Sequence, residues 1–173
     1  MTAWEKCVAF HGHSCGGLTI GYKAALYAKE LLGLDFSDDE QLVCIAENDA
    51  CGLDSIQVLL GCTVGKGNLL FHITGKQAFS FYNRTNGKSV RLVLRPKPEG
   101  MTKEQSFEYF QSLEPKDMFD VKETVIALPD RAQLFDSYIC EECGETVGAN
   151  WIRIANGKKL CLDCAPKYDR FKV

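Results

Sequence analysis

Two short stretches, Cys140-Glu141-Glu142-Cys143 and Cys161-Leu162-Asp163-Cys164, determine how the end of this chain folds. Each is a Cys-x-x-Cys knuckle, and 17 residues lie between them. Thiolates at this spacing converge as a tetrahedron around Zn²⁺ at about 2.3 Å each. Four thiolates leave no coordination position open, so the sequence predicts a structural zinc held by Cys140, Cys143, Cys161 and Cys164. A redox dithiol, a pair of disulfides or a four-thiolate iron site are the alternatives.

The residues between the knuckles predict a small β structure. Trp151-Ile152-Arg153-Ile154, followed by Asn156-Gly157-Lys158, is typical of a hairpin, as in a zinc ribbon or treble-clef finger. So short a module buries little core and needs a metal to fold. Residues 138–173 carry six Lys and Arg against five Asp and Glu. This near balance favours a structural or protein-binding finger over a nucleic-acid-binding one.

Composition limits what the rest of the chain can be. The 173 residues, 46% hydrophobic and 25% charged, are enough for one ordinary core plus an appendage. With no long apolar run and no signal peptide at the start, we expect a cytoplasmic protein that does not engage membranes. In that compartment nine cysteines are better explained as thiols kept for metal than as disulfides. A net charge of −3 argues against a polyanion-binding protein.

The chain predicts two domains, a core over 1–135 and a four-cysteine finger over 136–173. Within the core the order is helix, strand, helix, antiparallel strands and helix. This order predicts an α+β fold, with helices packed on one face of a mixed β-sheet. The predicted helices are 15–32, 53–60 and 102–113, and the predicted strands are 41–46, 68–74, 77–83, 89–94 and 122–127.

Local signals define several of these boundaries. Ser14 is the predicted N-cap of the first helix, and Gly33 its predicted stop. Thr74-Gly75-Lys76 and Asn86-Gly87-Lys88 are typical of hairpin turns, because glycine adopts positive φ without strain. Thr102, with a glutamine three residues later, predicts a capping box.

A second group of metal ligands precedes the first predicted helix. His11, His13 and Cys15 alternate with small residues in His11-Gly12-His13-Ser14-Cys15-Gly16-Gly17. Imidazole and thiolate are preferred ligands of zinc and iron, and the helix start favours the thiolate form of Cys15. A glycine-rich turn with surface histidines is the simpler alternative.

A segment between a strand and a helix adds further ligands. Cys51 lies there with Asp49 and Asp54 nearby, and polar sites often form at such strand ends. We expect His13, Cys15 and Cys51 to bind a divalent metal, with His11 as a ligand or as a residue that holds one in place. Mixed imidazole and thiolate ligation favours zinc first and iron second, with one position left open. Cys62 is a weaker candidate ligand, Cys7 and Cys44 are expected in the core, and His72 in a strand.

Several separated motifs together resemble the FmdE family, named after a component of formylmethanofuran dehydrogenase, a tungsten- or molybdenum-dependent enzyme of one-carbon metabolism. The resemblance covers residues 5–127, and some family members carry a C-terminal zinc finger. One departure is Gly16, where the family usually has proline. The motifs are His11-Gly12-His13-Ser14-Cys15-Gly16-Gly17-Leu18, Cys51 with Asp54-Ser55-Ile56-Gln57, Gly61-Cys62-Thr63, Gly65-Lys66-Gly67-Asn68-Leu69, Gly75-Lys76 and Phe81-Tyr82-Asn83-Arg84.

The resemblance implies a closely dimerising α+β core with a metal-binding cavity beside the His-x-His-x-Cys segment. His11, His13, Cys15 and Cys51 correspond to cavity residues. Lys66, Asn83 and Arg84 correspond to polar residues near the cavity that would contact a bound small molecule. The predicted homodimer has a second argument, because Ile20 and Leu31 make the first helix apolar on more than one face.

Three functions fit these observations. The first is a metalloenzyme, or an accessory subunit of a molybdenum or tungsten oxidoreductase, with a small-molecule ligand. The second is a regulator or adaptor whose finger binds protein or, with weaker support, nucleic acid, while the core senses a metal or ligand. The third is a metal carrier or store.

Overall fold

The computed structural model describes residues 1–33 and 35–167, and the end of the predicted finger, 168–173, lies outside this range. The chain divides into two compact units, Met1–Ala132 and a second unit that begins at Gln133. The elements of the first unit are α1 (Ala3–His11), α2 (Gly16–Leu32), β1 (Leu42–Ala46), α3 (Gly52–Leu60), β2 (Leu69–Phe71), β3 (Ala78–Asn83), β4 (Ser89–Leu94), α4 (Lys103–Ser112), α5 (Pro115–Met118) and β5 (Phe119–Lys122). Among the described residues, no helix combines the length and the apolar character needed to cross a membrane.

The sheet of the first unit is mixed and has the strand order β2-β1-β3-β4-β5. β1 and β2 run parallel, and the other neighbours run antiparallel. Helices cover one face of the sheet, which confirms the predicted α+β class. On the opposite face, Val43, Ile45 and Tyr82 are buried beneath Leu70 and Ile126.

Two sheet predictions are wrong. Thr74-Gly75-Lys76 does not form a hairpin turn, because β1 lies between β2 and β3. The last strand is Phe119–Lys122 rather than 122–127, since it pairs with β4 directly after the short helix α5. The hairpin through Asn86-Gly87-Lys88 is confirmed by the antiparallel pairing of β3 with β4.

The two helices before the sheet begin at side-chain caps. Thr2 and Glu5 form a capping box that starts α1, a helix absent from the sequence prediction. Cys15, and not Ser14, caps α2 with its sulfur, because Cys15 is the residue with extended backbone beside the first helical turn. Gly33 ends α2 in the left-handed conformation, as predicted.

Helix α2 is the centre of the helical layer. It packs against α1, α3, α4 and α5, and its buried residues include Ile20, which is 7% exposed. The several apolar faces of α2 are therefore satisfied largely within one chain. A homodimer stays a prediction, but Ile20 does not support it, because this side chain is already buried within one chain.

Glycines allow α2 and α3 to approach closely. A Cβ placed on Gly21 would lie 1.8 Å from the carbonyl oxygen of Gly52, so no side chain fits at Gly21. A Cβ on Gly17 would lie 3.2 Å from Cβ of Cys51. This helix contact places the start of α3 beside the start of α2, where the predicted metal ligands lie.

The second unit is built from two small hairpins. β6 (Ser137–Ile139) pairs with β7 (Thr146–Gly148), and β8 (Arg153–Ala155) pairs with β9 (Lys158–Leu160). A 3-10 turn over Ala149–Trp151 joins the hairpins. The second hairpin, through Asn156 and Gly157, is the one that the sequence predicts.

Candidate functional site

The His11, His13 and Cys15 side chains form a compact cluster where α1 ends and α2 begins. His11 is the last residue of α1, and Gly12 adopts a left-handed φ of 92° that turns the chain. Cys15 then caps α2, so that a stretch of five residues, His11 to Cys15, brings three ligands together. One donor atom from each of the three residues lies within 4.8 Å of the other two.

The distances within this histidine–cysteine cluster fit a metal ion. The His11 Nε2 atom lies 3.8 Å from Cys15 Sγ, and the two imidazole rings lie 4.5 Å apart. Tetrahedral zinc with bonds of about 2.1 Å to nitrogen and about 2.3 Å to sulfur places those atoms about 3.6 Å apart. The observed separation therefore needs only a small adjustment to hold zinc.

A carboxylate orients His11. Its Nδ1 atom lies 2.6 Å from Oδ2 of Asp54, and Asp54 in turn accepts a hydrogen bond from Gln57 at 3.1 Å. With Nδ1–H donating to the carboxylate, Nε2 is the free ligand atom, and it faces Cys15. Metal-binding histidines commonly have such a carboxylate partner. The sequence analysis placed Asp54 beside Cys51 but did not identify it as the partner of His11.

The amide of Leu18 and the side chain of Cys51 are neighbours of the Cys15 sulfur. The amide of Leu18 donates a hydrogen bond to Cys15 Sγ at 3.3 Å, which fixes the position of the sulfur at the start of α2. Cys51, which is exposed, lies beside Cys15 across Gly17. Desolvation raises the pKa of the Cys51 thiol, and the neighbouring Cys15 raises it further. Cys51 thus borders the cluster without belonging to its compact set of three ligands.

Two recesses adjoin the cluster, both are bounded by α4, and the second is also bounded by the segment before α4. The first, here called the glutamate recess, is a cavity of about 370 Å³. The second, here called the lysine recess, is a cavity of about 500 Å³. Nothing local in the sequence links α4 to His13, which is why the sequence analysis missed both. The glutamate recess is lined by His13, Ser14, Cys15, Gly16, Lys103, Glu104, Phe107 and Glu108. The lysine recess is lined by His13, Cys15, Gly16, Gly17, Ile20, Cys51, Lys97, Met101, Lys103, Ser106 and Phe110.

Three residues that the family resemblance assigned to the cavity lie elsewhere within the chain. Asn83 donates to the carbonyl of Leu32, at the opposite end of the 17-residue helix α2 from Cys15. Lys66 donates to the carbonyl of Ser37 at 2.7 Å, and Arg84 to that of Pro129 at 2.7 Å. Within one chain their polar groups bind the main chain, and contact of these residues with a bound small molecule stays a prediction.

The weaker candidates also separate from the cluster. Cys62 is fully buried, and burial raises its pKa to about 12, which disfavours a thiolate ligand. Cys7 and Cys44 are buried in the core, as predicted. His72 is exposed just beyond β2, and Asp49 is exposed without reaching the cluster.

The four C-terminal cysteines form the second compact group. One sulfur from each of Cys140, Cys143, Cys161 and Cys164 lies within 4.8 Å of the others. Cys143 Sγ and Cys161 Sγ are 4.0 Å apart, close to the separation of about 3.8 Å that tetrahedral zinc–thiolate bonds require. The amide of Cys161 donates to Cys140 Sγ at 3.3 Å. Amides of Cys143, Cys161 and Glu142 lower the pKa of Cys140 to about 6, which prepares a thiolate for metal.

Comparisons with known proteins give a family match for each of the two units. Residues 10–138 match the family described as FmdE, molybdenum formylmethanofuran dehydrogenase operon, and residues 134–170 match the prokaryotic dksA/traR C4-type zinc finger. A crystal structure of a tungsten formylmethanofuran dehydrogenase FmdE-like protein from Syntrophus aciditrophicus has a TM-score of 0.68. It is 26% identical, and the match covers 92% of this chain and 88% of that chain.

A probable S-adenosyl-L-methionine-binding protein of Archaeoglobus fulgidus is 30% identical over 92% of this chain. The chain spans about half (51%) of the length of that relative. The family match covers most of the first unit, and the four-cysteine cluster with its own match supports a structural zinc. The chain therefore belongs to the FmdE family and ends in a C4-type zinc finger.

Proposed function

We propose that the first unit binds a divalent transition metal at the histidine–cysteine cluster and uses it on a small molecule. In this proposal the protein is a metalloenzyme, or an accessory subunit, of molybdenum- or tungsten-dependent one-carbon oxidoreduction. The names of the matched family and of the Syntrophus aciditrophicus protein support the link to that chemistry. The geometry of the cluster supports the metal.

One observation carries the metal proposal. His11 presents Nε2 to Cys15 while Asp54 holds its Nδ1 at 2.6 Å, and His13 completes the set. Asp54 lies 43 residues from His11 in the sequence, so only tertiary packing brings the two side chains together. Their hydrogen bond orients Nε2 of His11 as a metal ligand. Three protein ligands leave a position open for a small molecule, unlike the closed four-cysteine site.

The residues around the cluster have separate roles in this proposal. Asp54 fixes the tautomer of His11, and the Leu18 amide holds the sulfur of Cys15 in place. Cys51 is available as a further ligand or as a contact for the bound molecule. A metal held here would supply Lewis acidity to a group placed in the open position.

Metal analysis of the full chain tests the proposal. The parent should contain about two metal ions per chain, and a His13→Ala/Cys15→Ala variant about one, held by the finger. His72→Ala, which removes an exposed histidine outside the cluster, is the matched control and should keep both ions. Equal metal content in the double variant and the parent would overturn the proposal. Circular dichroism of each variant checks that the first unit is folded.

A second candidate function is an adaptor in which the finger binds another protein. The observation that favours it is the number of large apolar side chains exposed on the second unit. Acidic and basic residues nearly balance in this unit, so nucleic acid, whose phosphates require an excess of basic residues, is a poorer partner for the surface. Crosslinking of the full chain in its native host tests the adaptor, with an Ile154→Ser variant expected to lose the crosslink. The exposed side chains are Leu134, Phe135, Tyr138, Ile139, Trp151, Ile154 and Leu162.

A further inference from the structure

We propose that the lysine recess binds the anionic group, a carboxylate or phosphate, of a small organic ligand. This inference deepens the proposed function and rests on it in one respect, because the recess opens beside His13 and Cys15. The ligand would place its anionic group on Lys97 and Lys103 and its remaining polar group toward the cluster.

The charge of the recess is the first argument. Lys97 and Lys103 line it together, and its lining includes no Asp or Glu from the described parts of the chain, 1–33 and 35–167. Lys97 Nζ donates to the neutral hydroxyl of Ser106 at 2.5 Å. Within residues 1–33 and 35–167, neither lysine has a carboxylate within 4.0 Å. Because neither lysine forms a salt bridge in the part of the chain that the structure describes, the two together give this recess a positive potential that an anion would neutralise.

The start of α2 adds to this potential. Gly16 and Gly17 are the first two residues of the 17-residue helix, and both line the recess. The first amides of a helix have no acceptor within the helix and carry the positive end of its dipole. Because Gly16 and Gly17 have no side chains, a ligand in the lysine recess can approach their main-chain amides.

The walls of the recess indicate that the anion is organic. Ile20, Met101 and Phe110 provide apolar surface in the same recess as the lysines. A volume of about 500 Å³ lies in the range of small-molecule sites, which combine mostly apolar walls with a few polar groups. An inorganic ion alone would leave this apolar surface unused.

The glutamate recess shows that the charge is not uniform around the cluster. Glu104 and Glu108 line it, and Lys103 is shared between the two recesses. An anionic group is therefore directed to the lysine side and repelled from the glutamate side. Because His13 and Cys15 line both recesses, a molecule bound in the lysine recess lies beside the cluster with its anionic group away from the glutamates.

The test compares a carboxylate with a neutral molecule of the same shape. Dissociation constants of 3-phenylpropionate and 3-phenylpropanamide are measured on the zinc-loaded full chain by ligand-observed NMR. The carboxylate should bind about tenfold more tightly. Lys97→Met and Lys103→Met should each weaken binding of the carboxylate about threefold, as expected for one exposed charge pair, so that the two lysines together account for the tenfold difference, and both variants should leave binding of the amide unchanged. Lys116→Met, an exposed lysine outside the recess, should change neither.

Competition distinguishes the two sources of the anion. Displacement of 3-phenylpropionate by inorganic phosphate identifies a phosphate group, and displacement by acetate alone identifies a carboxylate; either result supports the anion site. Equal binding of carboxylate and amide, no binding of either, or unchanged carboxylate binding in Lys103→Met overturns it. Core metal content is measured on the same samples. If the core contains no metal but 3-phenylpropionate still binds in a lysine-dependent way, the metal proposal is refuted and the anion site is retained.

Discussion

Gly21→Ala should separate the two helices that form the site. The added Cβ would lie 1.8 Å from the Gly52 carbonyl oxygen, 1.2 Å less than the 3.0 Å below which Cβ contacts are essentially never seen. Backbone forms this contact, so α2 and α3 must move apart rather than rearrange a side chain. Since Cys51 directly precedes Gly52, the same movement takes Cys51 away from Cys15.

The magnitude follows from the packing of α3. It buries four aliphatic side chains, together worth about 8 kcal/mol relative to exposure. A gap of about 1 Å forfeits between a quarter and a half of such packing, roughly 3 kcal/mol. Replacing glycine by alanine within a helix returns about 1 kcal/mol. The net loss is about 2 kcal/mol of the free energy of unfolding. The four side chains are Leu53, Ile56, Leu59 and Leu60.

Urea unfolding followed by helical circular dichroism measures this loss, because every α-helix assigned in the described residues belongs to the first unit. With a slope of about 2 kcal/mol per molar urea, the midpoint should fall by about 1 M. Gly16→Ala is the matched control in the same helix, since its Cβ would meet only Phe110 at 3.8 Å. That control should stay within about 0.5 kcal/mol of the parent. A Gly21→Ala protein as stable as the parent would refute the close approach of α2 and α3.

Four further outcomes are expected. Cys140→Ser should release the finger zinc and expose the second unit to protease while the first unit stays resistant, because a closed site fails when one thiolate is lost; a metallated, resistant finger would contradict this. Arg91→Met should cost about 3–5 kcal/mol in urea unfolding, since it leaves the buried Glu47 carboxylate, 2.6 Å from Arg91 Nε, without its partner. Arg91 lowers the pKa of Glu47 below its ordinary 4.5. The stability that this pair contributes is therefore present above pH 4.5 and is lost as the pH falls through the lowered pKa. If a Glu47→Gln protein loses stability at acid pH in the same way as the parent, this pH dependence does not come from Glu47. Asp54→Asn should weaken core metal binding about 10–100-fold in a chelator competition, whereas exposed Asp49→Asn should not, and equal affinities would remove Asp54 from its orienting role. Light scattering of the dilute protein should give the mass of a homodimer, and a monomer mass would count against that prediction.

Local signals in the sequence predicted the features that depend on a few neighbouring residues. The capping box of Thr102 with Gln105 and the stop at Gly33 are present as expected, since caps form between residues three or four apart. The cysteine spacing likewise predicted a finger whose four sulfurs converge. The same kind of signal, Thr2 followed by Glu5, was available for α1 and was overlooked.

Strand order could not be obtained in this way. β2 looked like the first arm of a hairpin because Gly75 follows it, yet it pairs in parallel with β1. A turn residue permits a reversal of the chain without selecting which strand lies next to which. That choice depends on which apolar faces the sheet and the helices bury together.

At the proposed metal site, too, some residues are close together in the sequence and others are brought there only by tertiary packing. His11, His13 and Cys15 are near in sequence, so the motif alone could place them near each other. The carboxylate that orients His11 lies 43 residues away, and the lysine recess uses α4, more than 80 residues from Cys15. Only the packing of α3 and α4 on α2 brings these groups together, because contacts between distant segments are decided by close fit, here by Gly21 against Gly52. The family motif alone does not show that Asn83 binds the carbonyl of Leu32, at the other end of α2 from Cys15, because that contact also depends on the packing of distant segments.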